Sequence, residues 1–555
     1  MKIDSPAVFA PADMTRTSPL ETRLLLFGFR AVLLVQFVLV FVKGFNWDEF
    51  LHFGQVYDLR DGRLVWEFQT LHARLFAWVP LVASDLITQI QIARGVMLGF
   101  ELVTVVAVVA LARHLVDRQT ALLAGLVYMT SGAVLQYGFS FRPDPMVTAA
   151  LMTALCLLVT RKLTFGMILA TGVLIGLSGM STIKSILYLP CFAGAAWMRL
   201  RAERRDRLST GFKIAAIPFI AGAVFLAVFA FHTTGITGGE VASEALASRT
   251  SRFLGSGLFL RWPYTVDQFL VTPVLTIGLI MTVFTFNNRP AREKVFILGL
   301  LGPLLSLIFY RNTYPYFFVF LFAPLCVAVA PALGALKARY GLRMIMFVMA
   351  LMPVALLVSQ PYGLIARQRA QIDEIHRLFP QPVGYLAYSS FVPDYPRIIP
   401  NLISGLGLKR YHDAGTPVIG DKIAAGEVAF VLADSDPVTA GLRGERIPQT
   451  LQEKDFVMLH GNFLHYVEAI WLSGKLVCRA QGDQSLRTVR PGPYTLDGGS
   501  VTIDGMRIEN GQTVALRRGT HSVRYAGQGC VRLWNLREVP RVPAGYPAGP
   551  TMEGF

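Results

Sequence analysis

At 555 residues, with 53% hydrophobic and only 16% charged residues, the chain lies well outside soluble composition, where about 25% charged is usual. It reads as a polytopic membrane protein. The formal net charge of +16 does not mark a nucleic-acid partner, because the Lys and Arg gather in short segments between apolar runs, which is a pattern of topology.

Apolar runs of about 17–22 residues predict eleven spans, near 23–42, 93–112, 119–138, 145–160, 164–180, 182–198, 214–232, 267–286, 295–310, 316–335 and 343–359. The first has no small-residue cleavage site behind it and reads as a retained span. Arg113 and Arg118, Arg161 and Lys162, the run from Arg199 to Lys213, Arg289 to Lys294, and Lys337 to Arg343 then all fall on one side. By the positive-inside rule that side is cytoplasmic, and so is the N-terminus. The first loop (43–92), the 139–144 turn, the 233–266 loop, the 310–315 turn and everything after 360 lie outside. Segment 71–90 is nearly long enough to span, but it carries Arg74, Pro80 and Asp85, and charge parity excludes it. It is predicted as one helix on the membrane surface, with His72, Arg74 and Gln89 on its polar side, helping to roof Asp48.

These boundaries give a transmembrane domain at 1–359, an α/β domain at 360–482, a small β-sandwich at 483–540 and a flexible tail at 541–555. The β-sandwich rests on strand-like runs punctuated by Asp-Gly at 497–498 and 504–505 and Asn-Gly at 510–511, all hairpin signals. Cys156, Cys191 and Cys326 sit inside apolar runs as core thiols. Cys478 and Cys530, in the outer region, admit a disulfide without fixing it.

The chemistry-bearing stretch is Asn46-Trp47-Asp48-Glu49-Phe50, directly after the first span. Two carboxylates at the lip of a hydrocarbon span must face water, a cation or a substrate. The plain alternative is a solvated helix start favoured by its dipole. Other ionisable residues recur at the same outer level: His52, Arg142 and Asp144 in Phe141-Arg142-Pro143-Asp144-Pro145, and Arg311 in Tyr310-Arg311-Asn312-Thr313-Tyr314-Pro315-Tyr316. Lys184, at the outer end of the 182–198 span, is either a functional cation or one that snorkels to headgroups. Asp48, His52 and His72 admit a divalent cation, though His52 equally serves to tune the acids. Gly179-Met-Ser-Thr-Ile-Lys184-Ser185 is not a nucleotide loop, since Ile183 stands where glycine is needed before the lysine.

Across residues 20–335 this arrangement resembles the GT-C polytopic glycosyltransferases that use lipid-phosphate sugars, in the branch of protein O-mannosyltransferases and aminoarabinose-type lipid A transferases. The resemblance rests on Asp48-Glu49 after the first span, the long first outer loop, Arg142-Pro143-Asp144, Lys184, and the aromatic late span opening at Arg311 and running Tyr314-Pro315-Tyr316-Phe317 to Pro324. Trp47 before the acid pair and His52 after it depart from the commoner pattern, which leaves the substrate class open. The family implies an all-α, GT-C-like membrane domain with extracytoplasmic C-terminal domains, in the inner membrane. It implies transfer, with inversion, of a sugar from a polyprenyl-phosphate donor to a hydroxyl of a glycolipid, glycan or protein acceptor. Asp48 is the expected general base, and Glu49 orients a cation or the sugar. Arg142, Lys184 and Arg311 are expected to hold the donor phosphate, with His52, Arg74, Asp144 and Tyr314 in support and no cofactor or metal required. The competing class is a transporter or flippase, which also places ionisable groups in membrane clefts. Transporters put them near the midplane and often show two related halves; here the charges gather at outer mouths and no internal repeat is visible.

Overall fold

The computed structural model describes residues 18–203, 206–236, 261–399, 405–479 and 482–552, and falls into two compact units. One comprises the chain up to Lys43 with Asp58–Gln360; the other comprises Gly44–Tyr57 with Pro361–Gly554. Most of the predicted 233–266 loop lies outside the described residues.

Most helices of the first unit start where the sequence supplies a cap or a proline. α1 (Pro19–Val42) opens on proline, and α2 (Trp47–Arg60) is described with the second unit. The single surface helix expected over 71–90 is corrected to three pieces: α3 (Leu71–Leu75), a 3-10 turn at Val79–Leu81 around Pro80, and the start of α4 (Leu86–Ala112). Asp85 fixes that start by accepting from the Thr88 amide at 2.8 Å. α5 (Arg118–Thr130) is capped by Asp117 and stops at Ser131, before α6 (Gly132–Tyr137). There follow α7 (Pro143–Thr160), α8 (Phe165–Ser181), α9 (Leu189–Ala202) and α10 (Arg207–Thr233). The unit closes with α11 (Trp262–Leu270), α12 (Pro273–Phe286), α13 (Ala291–Leu301), α14 (Ser306–Phe309), α15 (Phe317–Ala328), α16 (Ala330–Tyr340) and α17 (Leu342–Ser359).

Among the described residues five helices are long and apolar enough to cross a membrane: α1, α4, α7, α10 and α17. Seven result if the bent pairs α11–α12 (96°) and α15–α16 (68°) each count as one span. Four of the eleven predicted runs fall outside that count: 119–138 is broken at Ser131, 182–198 opens as a 3-10 turn (Ile183–Tyr188), 295–310 breaks at Gly302 and Pro303, and 164–180 is one unbroken apolar helix of 17 residues, α8. A hydropathy window counts apolar length and is blind to such breaks.

α15 is the centre of this unit, with every one of its residues buried. Such a helix, apolar all round, belongs inside a protein. Pro324 within it offers no N–H to the carbonyl of Phe320, one turn earlier. The Tyr188 hydroxyl donates to that carbonyl at 2.7 Å, and Tyr128 donates to the neighbouring Val319 carbonyl at 3.2 Å. In a low-dielectric interior such compensation is needed for the irregularity to persist. It also ties the 183–188 turn to α15.

The second unit holds two sheets. In the first, β1 (Tyr385–Leu386) runs parallel to β2 (Phe430–Leu432); β2 and β3 (Phe463–Val467) pair antiparallel with β4 (Ile470–Cys478). With β5 (Gln484–Thr488) assigned to the other sheet, β6 (Gly492–Asp497) continues the first, between β11 (Cys530–Trp534), which pairs with β4, and β9 (Thr513–Leu516). The other sheet has the order β5, β10 (Gly519–Arg524), β7 (Ser500–Ile503), β8 (Met506–Glu509). The two sheets bury one shared apolar cluster that includes Leu496 and Leu533 from the first and Ile503 and Val523 from the second. The expected boundary at 482/483 therefore cuts through a continuous sheet, because β4 pairs with β11. Of the three hairpin signals only Asp504-Gly505 closes a hairpin, β7–β8; the turns at 497–498 and 510–511 carry the chain from one sheet to the other. In the tail, Arg377 donates to the Arg541 carbonyl, Arg367 to that of Pro550 and Gln368 to that of Thr551.

Cys478 and Cys530, directly opposed on β4 and β11, form a disulfide across a sequence separation of 52. Closing a loop of that length removes unfolded-state entropy worth about 4 kcal/mol in the chain-entropy model. Replacing both cysteines with alanine is expected to lower the stability of the sheet region by about 2–4 kcal/mol, measured by denaturant unfolding. Unchanged stability would show that pairing of β4 with β11 does not depend on the bond.

Candidate active site

The acid pair sits at the start of α2, in the second unit. Asn46 caps the helix, its side-chain oxygen accepting from the amides of Asp48 at 3.0 Å and Glu49 at 3.1 Å. Glu49 returns the bond, accepting from the Asn46 amide at 3.3 Å, so Asn46 and Glu49 form a capping box. Through this bond the Glu49 carboxylate holds the helix start. Asp48 and Glu49 are 4% and 1% exposed, so the solvated helix start does not describe them.

Why this short segment belongs with residues after 360 follows from its aromatics and one amide. The Gln368 side chain, on α18 (Leu364–Leu378), accepts from the Phe45 amide at 3.0 Å and donates to the Phe45 carbonyl at 2.7 Å. Phe50 stacks on Phe391 at 4.7 Å between centroids, and Trp47 meets Tyr388. Gly54 is required beside this loop, since a Cβ there would lie 2.7 Å from that of Ser390. The loop is itself pinned by Asp434, which accepts from the amides of Tyr388 (2.8 Å) and Ser389 (3.0 Å) and from the Ser389 hydroxyl (2.9 Å). Burial raises the Asp434 carboxyl above its ordinary pKa, opposed by these donors. His52 lies one turn after Asp48 on the same helix. Among the described residues no group of three or more His, Cys, Asp or Glu is placed to hold a metal ion.

In the first unit the structure brings Arg142, Asp144 and Lys184 together. Arg142 and Asp144 flank Pro143 where α7 begins, and Lys184 comes from the 3-10 turn anchored through Tyr188. Asp144 accepts from Lys184 Nζ at 2.5 Å and from Arg142 Nε at 3.3 Å. All three are nearly sealed, at 4%, 3% and 6% exposure for Arg142, Asp144 and Lys184. The Arg142 guanidinium lies 3.3 Å from the centroid of Tyr316, and Lys184 Nζ lies 5.1 Å from it. Two cations around one carboxylate give the cluster a formal charge of +1.

A second guanidinium joins the row. Tyr316 stacks on Tyr314 at 5.8 Å, and Arg261 lies 4.1 Å from the Tyr314 centroid while donating to the Arg311 carbonyl at 3.0 Å. Arg311 thus sits in the turn that carries Tyr314 and Tyr316, and its backbone is what the described bonds hold. Tyr316 belongs to the motif that opens at Arg311, whereas Arg261 lies outside every motif read from the sequence. Arg261 stands at the N-cap of α11 with Pro263 in the first turn, much as Arg142 stands at the N-cap of α7 before Pro143. Arg74 donates to His232 Nδ1 (2.9 Å) and to the carbonyls of His232 (2.7 Å) and Thr234 (2.6 Å), closing the C-terminal end of α10. His72 is buried with its ring edge-on to Phe141.

Removing the shared anion should expose its task. Asp144→Asn is expected to destabilise the protein by about 3–5 kcal/mol, as when one member of a buried ion pair is removed, and a second change, Lys184→Met, should recover part of the loss. Thermal unfolding in detergent is the measurement; an undiminished Asp144→Asn midpoint would contradict the shared-carboxylate arrangement.

No family model matches the sequence, and no curated protein matches it at the sequence level. Solved structures do match. ArnT from Cupriavidus metallidurans bound to undecaprenyl phosphate aligns with a TM-score of 0.57 at 10% identity, covering 77% of this chain and 95% of its own. The same enzyme in the apo state aligns at 0.50 and 12% identity, over 76% and 94%. The oligosaccharyltransferase of Archaeoglobus fulgidus covers 95% and 99% at 10% identity, but its TM-score of 0.48 is too low to add to the fold assignment. At these identities the likeness is one of architecture, and by architecture the chain is similar to ArnT, a polytopic membrane protein of the GT-C type.

Proposed function

We propose that the protein is a membrane glycosyltransferase that moves a sugar from a polyprenyl-phosphate donor to an acceptor hydroxyl on the extracytoplasmic face of the inner membrane. The observation that carries this reading is the buried Arg142–Asp144–Lys184 cluster with its +1 formal charge, on a fold shared with an ArnT structure that holds undecaprenyl phosphate. A phosphate leaving group gains negative charge as the bond to the sugar breaks, and preorganised cations in a dry site stabilise that change. Arg142 suits bidentate contact with phosphate oxygens, Lys184 supplies a point charge, and Arg311 completes the set. Asp144 holds the first two in place.

Asp48 takes the proton of the acceptor hydroxyl while that oxygen attacks the anomeric carbon and the lipid phosphate departs with the bonding electrons. One direct displacement of this kind inverts the configuration. The reaction needs no metal: charge neutralisation comes from side chains. An outer-face donor must be lipid-linked, since nucleotide sugars do not reach that side, and the Cys478–Cys530 disulfide fits an oxidising compartment for the C-terminal unit. The acceptor is a glycolipid, a glycan or a protein hydroxyl.

Asp48→Asn keeps the shape but cannot accept the proton. Turnover is expected to fall by about 10²–10⁴-fold, the worth of a positioned general base, with donor binding nearly unchanged. Glu49→Gln should cost much less, because glutamine can still close the capping box. The readout is envelope glycolipid mass spectrometry in a host carrying each variant: Asp48→Asn should lose a sugar-bearing species and accumulate the lipid-linked donor. An envelope indistinguishable from wild type would remove Asp48 from the chemistry.

A further inference from the structure

At the far end of α7 from Asp144 lies a feature that sugar transfer leaves unused. A groove of about 690 Å³ runs between α4 and α7. On α4 its wall is the stripe Val103, Val106, Ala110, at helical spacings of three and four residues, and on α7 it is Thr153, Cys156 and Leu157. Small side chains at Ala107 and Ala110 let the floor recede, while Val106 stands at the rim, 68% exposed. One end is basic: Arg113, His114 and Arg161 close it, and both arginines are exposed.

The dimensions select a ligand. From Val103 to Arg113 is ten residues of helix, about 15 Å at about 1.5 Å per residue, which is half of a hydrocarbon core about 30 Å thick. A groove one leaflet deep, apolar along its length and cationic at the headgroup level, matches one acyl chain below one phosphate. Its volume lies within the range of about 300–1,000 Å³ usual for sites that enclose a small molecule. The basic end is on the side of the Lys- and Arg-rich connections, where anionic lipids attract such residues. Ordinary bilayer contact would explain an apolar surface, but not a recessed channel that ends on two guanidinium groups and an imidazole.

We propose that this groove is a binding site for an anionic glycerophospholipid, one acyl chain lying between α4 and α7 and the phosphate between Arg113 and Arg161. Bound there, the lipid braces α4 against α7, the helix whose other end carries Arg142 and Asp144. The site and the sugar-transfer reading stand independently, since neither uses a residue of the other.

Cys156 makes the test direct. It is half-buried in the groove wall, whereas Cys191 and Cys326 are fully buried and Cys478 is paired with Cys530. The rate at which monobromobimane modifies Cys156 in the full-length, detergent-purified protein therefore reports occupancy. Dioleoylphosphatidylglycerol is expected to slow modification at concentrations at least tenfold below those at which dioleoylphosphatidylcholine does so. In Arg113→Gln/Arg161→Gln that preference should vanish, since each cation near an anionic headgroup is worth about a fivefold gain in affinity. The wild-type comparison of the two lipids stands even if the double variant folds poorly, and native mass spectrometry of co-purified lipid gives a second reading. Equal protection by the two lipids, no protection by either, or protection by undecaprenyl phosphate alone would each overturn the proposal.

Discussion

A single carboxylate, that of Asp144, lies between two cations from separate segments, and the geometry around it makes further demands on the helical unit. Buried ions cost several kcal/mol each unless they are paired and hydrogen-bonded. Arg142 and Lys184 are both nearly sealed from solvent, so their position depends on Asp144 at 3.3 and 2.5 Å. Pro143 sets the start of α7 between Arg142 and Asp144, and the 3-10 turn delivers Lys184. That turn is tied down because Pro324 frees a carbonyl for Tyr188. An irregularity in the central helix is thereby converted into a fixed position for a cation. In the proposed reaction a lipid phosphate would meet two preorganised cations here, and charge-assisted bonds of that kind are the strong ones.

Much of this was legible in the sequence, and the parts that were not share a physical cause. Composition and the one-sided Lys and Arg clusters identify a membrane protein, because hydrocarbon admits few charges. Arg142, Asp144 and Lys184 stand out for the same reason, and the structure brings them together. Asn46 three residues before Glu49 is a capping signal carried by the local sequence alone. The breaks at Ser131, Pro80 and Gly302-Pro303 leave the mean hydropathy of a window unchanged. Long-range pairing was the least legible. Gln368 grips the backbone of Phe45 from 323 residues away, and nothing local in either segment announces it. Likewise Asp-Gly and Asn-Gly specify tight turns, but whether the next strand pairs back or crosses to the other sheet is decided by which faces are apolar across the whole sheet region.

α7 links the two anion sites proposed for the helical unit. Its 18 residues span about 27 Å at about 1.5 Å per residue, close to the thickness of a hydrocarbon core. Arg142 precedes it and Arg161 follows it, so the two guanidinium groups fall at opposite ends of the helix. The residues differ in setting as their proposed ligands do. Arg142 is sealed and held by a carboxylate and a tyrosine face, as suits a phosphate that must be positioned for reaction, whereas Arg161 is exposed, as suits a headgroup that is only retained.

The central claim is that the Arg142–Asp144–Lys184 cluster receives a lipid phosphate, and direct binding tests it without any knowledge of the sugar or acceptor. The measurement is the affinity of the purified protein for undecaprenyl phosphate against that for undecaprenol, which has the same chain and no charge, in wild type and in Arg142→Ala. A charged hydrogen bond to phosphate is worth about 1.5–3 kcal/mol, so the phosphate should bind at least about tenfold more tightly than the alcohol, and Arg142→Ala should remove most of that difference while leaving undecaprenol binding unchanged. Equal affinity of the wild-type protein for the two lipids would contradict the claim.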